Sequence, residues 1–158
     1  MEKAAAWILL IVVLVFVGFY SAKHYNLFGD PTQTVTMSVD DILAQNKPLR
    51  CGASYTDFNG THKGTILFAS GTAYAELQET VANTSTSMDY VIDSDHTYKW
   101  IADQNTGIAY PRLGATRSTQ DPIPVWSAPH TFTCSEWKDP VKSFSPPPEI
   151  RFSQYQAQ

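Results

Sequence analysis

The hydrophobic pattern begins with a run of 19 uncharged residues over 4–22, AAAWILLIVVLVFVGFYSA. At ~1.5 Å per residue, a helix of this length is about 28 Å long, close to the hydrocarbon thickness of a bilayer. Lys3 and Lys23 flank the run, and Trp7 and Tyr20 lie near its ends, where amphipathic rings prefer the headgroup region. The pattern predicts a transmembrane helix.

A cleaved signal peptide is the main alternative to a membrane anchor. Its cleavage site needs small residues at positions −1 and −3, but a cut after Ala22 places Tyr20 at −3. An uncleaved signal anchor over residues 1–22 is therefore favoured over a cleaved peptide, and also over a buried core helix.

A short amphipathic helix is predicted next. Residues 23–37 are interpreted as a tether or as a first extended segment. Ser38 then offers a capping side chain, and Val39, Ile42 and Leu43 follow at the i, i+3, i+4 spacing of one helical face.

From residue 49 to residue 112 the apolar period changes to two, which is typical of β-strands. Turn formers such as Ser70-Gly71 separate the segments, and tight turns join antiparallel neighbours. The order along the chain is therefore expected to be the order in the sheet. The predicted strands are LRCGASY, KGTILFA, TAYAELQ, SMDYVID, HTYKWIA and GIAYPR.

Alternation within these strands predicts which side chains share a face. Met88, Tyr90 and Ile92 fall on one face of their strand, and Tyr98 and Trp100 share a face of the next. An open antiparallel sheet usually has one face buried against the core and the other exposed to solvent.

The remainder of the chain is rich in proline, which excludes a long regular helix there. A long loop is predicted, with Trp126 as its anchor in the core, followed by two short strands, FTCSEW and EIRF. The fold class is therefore α+β: an N-terminal transmembrane helix, then a strongly curved antiparallel sheet of six to eight strands with one short packed helix. The sheet domain is expected to span residues 38–153, with a polar tail at 154–158.

Composition and motifs argue against several functions. The net charge is −4 without any Lys/Arg run, so a nucleic-acid partner is not expected. No catalytic or nucleotide-binding motif occurs, and the four histidines stand apart. Asp89 and Asp93 share a strand face but lie roughly 13 Å apart, too far to share a metal ion. No enzyme activity, cofactor or metal site is predicted.

Cys51 and Cys134 are the two cysteines of the chain. An even cysteine count in a membrane-anchored ectodomain favours a disulfide over two buried thiols. A disulfide requires an oxidising compartment, so we expect the N-terminus in the cytoplasm and the sheet domain outside the cell membrane.

Three sequence blocks carry a family resemblance: the short helix with PLRC at 48–51; MDYVIDSDHTYKW at 88–100 with Gly107-Ile108; and CSEW at 134–137 with the Phe144 and proline stretch after it. Together they resemble an uncharacterised group of membrane-anchored bacterial envelope proteins, in which a leading cysteine pairs with that of a C-x-x-W motif. Their sheet is similar to the half-barrels of LolA/LolB-type lipoprotein carriers. The likeness covers about residues 38–153.

Two functions follow as hypotheses. The first is a non-enzymatic structural or interaction module of the cell envelope, with the membrane and an envelope protein as partners. The alternative is lipid or lipoprotein binding in a concave apolar hollow, as the carrier resemblance implies. The expected lining of that hollow is Leu43, Phe68, Tyr74, Tyr90, Tyr98 and Trp100.

Overall fold

The computed structural model describes residues 32–112, 126–138 and 143–155. The elements of these residues are β1 (Gln33–Met37), α1 (Val39–Ala44), β2 (Leu49–Asp57), β3 (Gly60–Ala69), β4 (Thr72–Val81), β5 (Thr84–Ile92), β6 (His96–Ile101), β7 (Thr106–Pro111), β8 (His130–Glu136) and β9 (Arg151–Gln154). They form a curved, open sheet with one short helix, which confirms the predicted sheet and helix.

The strand order is β1-β8-β2-β3-β4-β5-β6-β7-β9. The expected sequential order is correct for β2 to β7, which are antiparallel neighbours. Outside this block, β8 lies between β1 and β2, and β9 pairs with β7 in parallel. The described residues form nine strands rather than six to eight, since residues 33–37 also join the sheet.

The tight hairpins have a local cause. Ser70 and Gly71 between β3 and β4 both have positive φ, and so do Ala82 and Asn83 between β4 and β5. Two consecutive positive φ values characterise the type I′ turn, whose twist matches that of antiparallel strands. The chain therefore reverses within two residues at both places.

Helix α1 begins with a reciprocal cap. The Asp41 backbone N–H donates to Ser38 Oγ at 3.0 Å, and the Asp41 carboxylate accepts from the Ser38 backbone N–H. Val39 and Ile42 are buried against the sheet, as their spacing predicted. The Val39 N–H also donates to the Trp126 carbonyl oxygen at 2.9 Å, which ties the start of the helix to the returning chain.

The sheet has two different faces. We call the face that packs against α1 the inner face and the opposite one the outer face. Trp126 is fully buried on the inner face, with its ring edge-on to Tyr90 at 5.4 Å, as expected for a core anchor. The rest of the inner core comes from small and aliphatic side chains of β2 to β5, together with Phe68 of β3 and Phe132 of β8.

The outer face carries an aromatic layer of its own. Tyr74 lies 6.4 Å from Trp100 and 5.8 Å from Phe144 between ring centroids. Phe144 in turn stacks on Trp137 at 5.9 Å, and its backbone N–H donates to Thr72 Oγ1 at 2.9 Å. The stretch after β8 therefore covers part of the outer face.

Cys51 and Cys134 form a disulfide, which confirms the predicted bridge. The two cysteines are directly opposite each other in the β2–β8 pair. The bridge therefore links neighbouring strands of the sheet that are 83 positions apart in sequence.

The predicted signal anchor at 1–22 lies outside the described residues, as does most of the expected tether and loop. Within the part of the chain that the structure describes, no helix has the length and apolarity to cross a membrane. The anchor stays a prediction.

Candidate functional site

The inner face of the sheet carries a cluster of ionisable side chains from five neighbouring strands. We call Asp57, His62, Glu79, Tyr90 and Lys99 the inner cluster. Cross-strand pairing explains the assembly, because directly opposed residues share a face: His62 is opposite Glu79, and Tyr90 is opposite Lys99. The register thus brings together residues that are far apart in sequence.

Glu79 is the centre of the inner cluster. Lys99 Nζ donates to Glu79 Oε2 at 2.8 Å, and the Tyr90 hydroxyl donates to Glu79 Oε1. His62 lies between two carboxylates, with Nε2 2.9 Å from Asp57 Oδ1 and Nδ1 3.3 Å from Glu79 Oε1. His62 is fully buried and Glu79 nearly so, so these contacts lie largely out of water.

Aromatic rings enclose the imidazole side of the cluster. Tyr55 stacks on His62 with 5.0 Å between ring centroids and on His130 with 4.0 Å. Phe132 meets Tyr55 edge-on at 6.5 Å. Burial, followed by the nearby Asp57 and Glu79 charges, raises the pKa of Tyr55 far above its ordinary value, so its hydroxyl stays protonated.

The cluster shifts two pKa values in opposite directions. Burial alone would raise the pKa of Glu79, but His62, Lys99 and Tyr90 together lower it from 4.5 to about 2. Burial alone would lower the pKa of His62, but the Glu79 and Asp57 carboxylates outweigh it and raise that pKa above 6.5. In the folded protein a carboxylate at Glu79 and an imidazolium at His62 therefore stabilise each other.

The sign of these shifts predicts how stability depends on pH. The lowered pKa of Glu79 contributes stability above pH 4.5, which is lost as the pH falls toward 2. The raised pKa of His62 contributes stability below pH 6.5, which is lost as the pH rises through the folded-state value. We expect the urea midpoint of the full chain to be highest between about pH 4.5 and 6.5. His62→Gln should remove the alkaline decline, and a midpoint that stays constant from pH 6 to 9 in the unmodified chain would contradict the assignment.

An open groove of about 450 Å³ lies next to the inner cluster. Its walls come from β5, β6, β7 and β9 and from the turn after β6. Most of the lining is apolar, and of the described residues that form it, Lys99 is the single charged one. The lining residues are Met88, Lys99, Trp100, Ile101, Gln104, Thr106, Gly107, Ile108, Tyr110 and Ser153.

Lys99 belongs to both features. Its side chain is 14% exposed, its ammonium contacts Glu79, and it also borders the groove. The groove therefore combines an apolar wall with one cationic group that is held in place by a buried carboxylate. Such a site suits a molecule with an apolar chain and an anionic end.

The inner cluster supports a charge network better than it supports a metal site. Among the residues that the structure describes, no group of three or more His, Cys, Asp or Glu side chains could hold a metal ion. In the inner cluster the carboxylates already accept from His62, Lys99 and Tyr90. The geometry favours a charge network that joins five strands.

The structure divides the six residues of the expected hollow between two faces. Phe68 and Tyr90 are buried in the inner core, and Leu43 of α1 packs against that core. The other three, Tyr74, Tyr98 and Trp100, lie on the outer face. Val91 and Asp89 alternate with the inward-facing Tyr90 along β5, so they are on the outer face, and cross-strand partners share a face. Val91 pairs with both Tyr74 and Tyr98, and Asp89 pairs with Trp100.

The prediction of one shared hollow is therefore wrong in its geometry. Alternation was correct within each strand, but the register between β5 and β6 places Tyr98 and Trp100 opposite the outward-facing residues of β5. On the inner face, the space that the hollow would need is occupied by Trp126 and by the buried residues of α1. Of the six residues, Trp100 alone is also among those that border the observed groove.

Sequence reasoning missed the inner cluster, although one signal for it exists. In β4 the inward positions run Ala73, Ala75, Leu77 and then Glu79, so the alternation that marks an apolar face ends in a carboxylate. A charged residue in phase with a buried face needs a partner. That partner could not be named without the register.

Comparisons with known proteins give no assignment. The chain matches no family model, no curated protein and no solved structure. The resemblance to membrane-anchored envelope proteins with a LolA/LolB-like sheet therefore stays a prediction.

Proposed function

We propose that this protein is a non-enzymatic module of the cell envelope that binds a lipid-like amphiphile in the groove along β5, β6, β7 and β9. The observation that carries the proposal is an apolar groove, open on the inner face, whose charged lining residue is Lys99. The N-terminal segment anchors the module in the cell membrane, and the sheet domain lies on the extracytoplasmic side.

Two features support this location. The disulfide between Cys51 and Cys134 suits an oxidising compartment, because cytoplasmic thiols are kept reduced. The uncharged run over 4–22 has the length of a membrane span. An anchored domain with this location has membrane lipid within reach.

The size and lining of the groove support the ligand class. A volume of about 450 Å³ falls within the range of small-molecule sites, which is roughly 300–1,000 Å³. Met88, Ile101 and Ile108 offer aliphatic contact to an acyl chain, and Ile108 is 38% exposed. Lys99 then lies beside the anionic end of the ligand.

Photolabelling of the full chain tests the proposal. A long-chain fatty acid with a diazirine group is added to the protein in phosphatidylcholine nanodiscs, irradiated, and the tryptic peptides are mapped by mass spectrometry. Trypsin releases the peptide 100–112, which contains Ile101 and Ile108, separately from the peptide 4–23. The second peptide contains the predicted anchor and is expected to react with fatty acid that is dissolved in the bilayer. We expect strong labelling of peptide 100–112.

Matched variants define the site. Ile108→Asp replaces an apolar contact of about 1.5–3 kcal/mol with a charge, so labelling of peptide 100–112 should fall about ten-fold or more. Val81→Asp changes an apolar residue that is also exposed but lies outside the groove lining, and it should leave labelling unchanged. Label confined to the anchor peptide in the unmodified protein would refute lipid binding in the groove.

A second function, docking of an envelope protein, has an observation of its own. Phe58 at the β2–β3 turn is 55% exposed, and Val81 at the end of β4 is 54% exposed. The two turns adjoin, because a Cβ placed on Gly60 would lie 3.1 Å from Val81 Cγ2. Exposed apolar side chains on adjoining turns are a candidate surface for a protein contact.

This second function is tested by site-specific crosslinking in the native membrane. With p-benzoylphenylalanine in place of Phe58, we expect one adduct of defined mass, which Val81→Asp should abolish. The same photoreactive residue in place of Gln78, which is exposed in the middle of β4, serves as the control. Equal adducts from both positions would argue against a docking surface at the turns.

A further inference from the structure

We infer that the groove binds an anionic amphiphile together with a proton, and that the proton is held by the buried His62 of the inner cluster. The inference rests on the proposed function, because it assigns a charge and a pH dependence to the ligand of the same groove. It follows from the contacts that connect the groove to His62 through Lys99 and Glu79.

The first step is the position of Lys99. Its Nζ donates to Glu79 Oε2 at 2.8 Å and lies 5.4 Å from the centroid of the Tyr90 ring. An anionic group that enters the groove beside Lys99 therefore also comes close to the Glu79 carboxylate. Attraction by the ammonium is opposed by this second charge.

The second step is the charge balance of the inner cluster. Asp57 and Glu79 supply two negative charges and Lys99 supplies one positive charge. With a neutral imidazole at His62 the cluster has a net charge of −1, and with an imidazolium it is neutral. The anion meets less repulsion in the second state, because the imidazolium lies 3.3 Å from Glu79 Oε1 and 2.9 Å from Asp57 Oδ1.

Among the residues that the structure describes, the Asp57 and Glu79 carboxylates are the charged groups that contact the His62 ring directly. The groups that face its ring are Tyr55 and Asp57 of β2, Glu79 of β4, and the Tyr90 hydroxyl and Lys99 ammonium through Glu79. His130 of β8 lies on the far side of Tyr55, stacked at 4.0 Å. Both tyrosine hydroxyls stay protonated because burial raises their pKa values.

Linkage then gives the direction of the effect. If a proton on His62 strengthens anion binding, the bound anion strengthens proton binding by the same factor. For two unit charges on the order of 10 Å apart at an effective dielectric constant of about 20, the coupling corresponds to about a ten-fold change in affinity. Anionic ligands should bind more tightly at acid pH than at alkaline pH, and neutral ligands should not.

The test uses two probes with the same chain length. Decane-1-sulfonate is anionic at every pH used, and decan-1-ol is neutral, so neither probe titrates. Each competes with a trace amount of the photoreactive fatty acid, far below saturation of the groove, for peptide 100–112 of the full chain in phosphatidylcholine nanodiscs, between pH 5.5 and pH 9. The half-maximal concentration then depends on the competitor alone. Empty nanodiscs give the correction for partition into lipid.

We expect the half-maximal concentration of decane-1-sulfonate to rise about ten-fold from pH 5.5 to pH 9, and that of decan-1-ol to change less than two-fold. In His62→Gln the sulfonate should bind at all pH values with the weaker affinity. Equal, pH-independent competition by both probes would overturn the coupling and leave the groove as a lipid site. Failure of both probes at every pH would overturn the proposed function itself.

A measurement on the unmodified chain covers the case in which His62→Gln does not fold. The His62 imidazole is titrated by NMR with and without saturating decane-1-sulfonate. Coupling requires the midpoint to rise by about one pH unit when the sulfonate is bound, which is the same ten-fold factor. An unchanged midpoint, with the sulfonate shown to be bound, would overturn the inference.

Discussion

Replacing Glu79 with glutamine is expected to lower the free energy of unfolding by about 3–5 kcal/mol near pH 6. Glu79 accepts from Lys99 and Tyr90 and lies beside His62, so the neutral amide leaves two buried cationic groups with less compensation. The loss should appear as a lower urea midpoint by tryptophan fluorescence, without change of the denaturant slope.

Glu76→Gln is the matched control for this prediction. Glu76 lies on the same strand but on the outer face, where it is exposed and accepts from the Tyr74 hydroxyl at 3.2 Å. Exposed substitutions of this kind usually change stability by about 0.5 kcal/mol or less. If both variants lost the same stability, the inner cluster would not be the source of the effect.

Removal of the disulfide is expected to be the second large loss. In Cys51→Ala with Cys134→Ala, the free energy of unfolding should fall by about 2–5 kcal/mol. The bridge closes a long chain loop, since the cysteines are 83 positions apart, and the broken link also frees β2 from β8 in the unfolded chain. Urea denaturation of both forms measures the difference.

Chemical reduction gives an independent check on the disulfide. Reduction of the unmodified chain should cause a similar loss of stability and should have no effect on the double alanine variant. Alkylation of intact, unreduced protein should label neither cysteine. Full labelling of both thiols would show that the protein has no disulfide, and the support for an extracytoplasmic location would then be lost.

Several local features could be predicted because short-range interactions decide them. Ser38 caps α1, and Val39 and Ile42 are buried as their helical spacing indicated. Ser70-Gly71 forms a turn because both residues adopt positive φ, which glycine accepts at little cost. These features depend on neighbours within about four residues, so the local sequence contains the necessary information.

The composition of the site could not be predicted in the same way. Tyr98 and Trp100 share a face as expected. Because Tyr98 pairs with Val91, however, they lie on the outer face of the sheet, whereas Tyr90 lies on the inner face. A shift of one residue in register would reverse this result, since side chains alternate with a period of two. Alternation within one strand therefore cannot assign a common face to residues of two strands.

The sequence by itself determined the short helix, the hairpins of β2 to β7 and the candidate disulfide pair, because periodicity, turn residues and cysteine count are properties of neighbouring positions or of composition. Only the tertiary structure decided that β8 inserts beside β2, that Asp57, His62, Glu79, Tyr90 and Lys99 meet, and that the open groove lies beside Lys99. The physical reason is that the packing of the whole inner face sets the register of distant strands. A charge buried in that face is costly unless it is paired with another group.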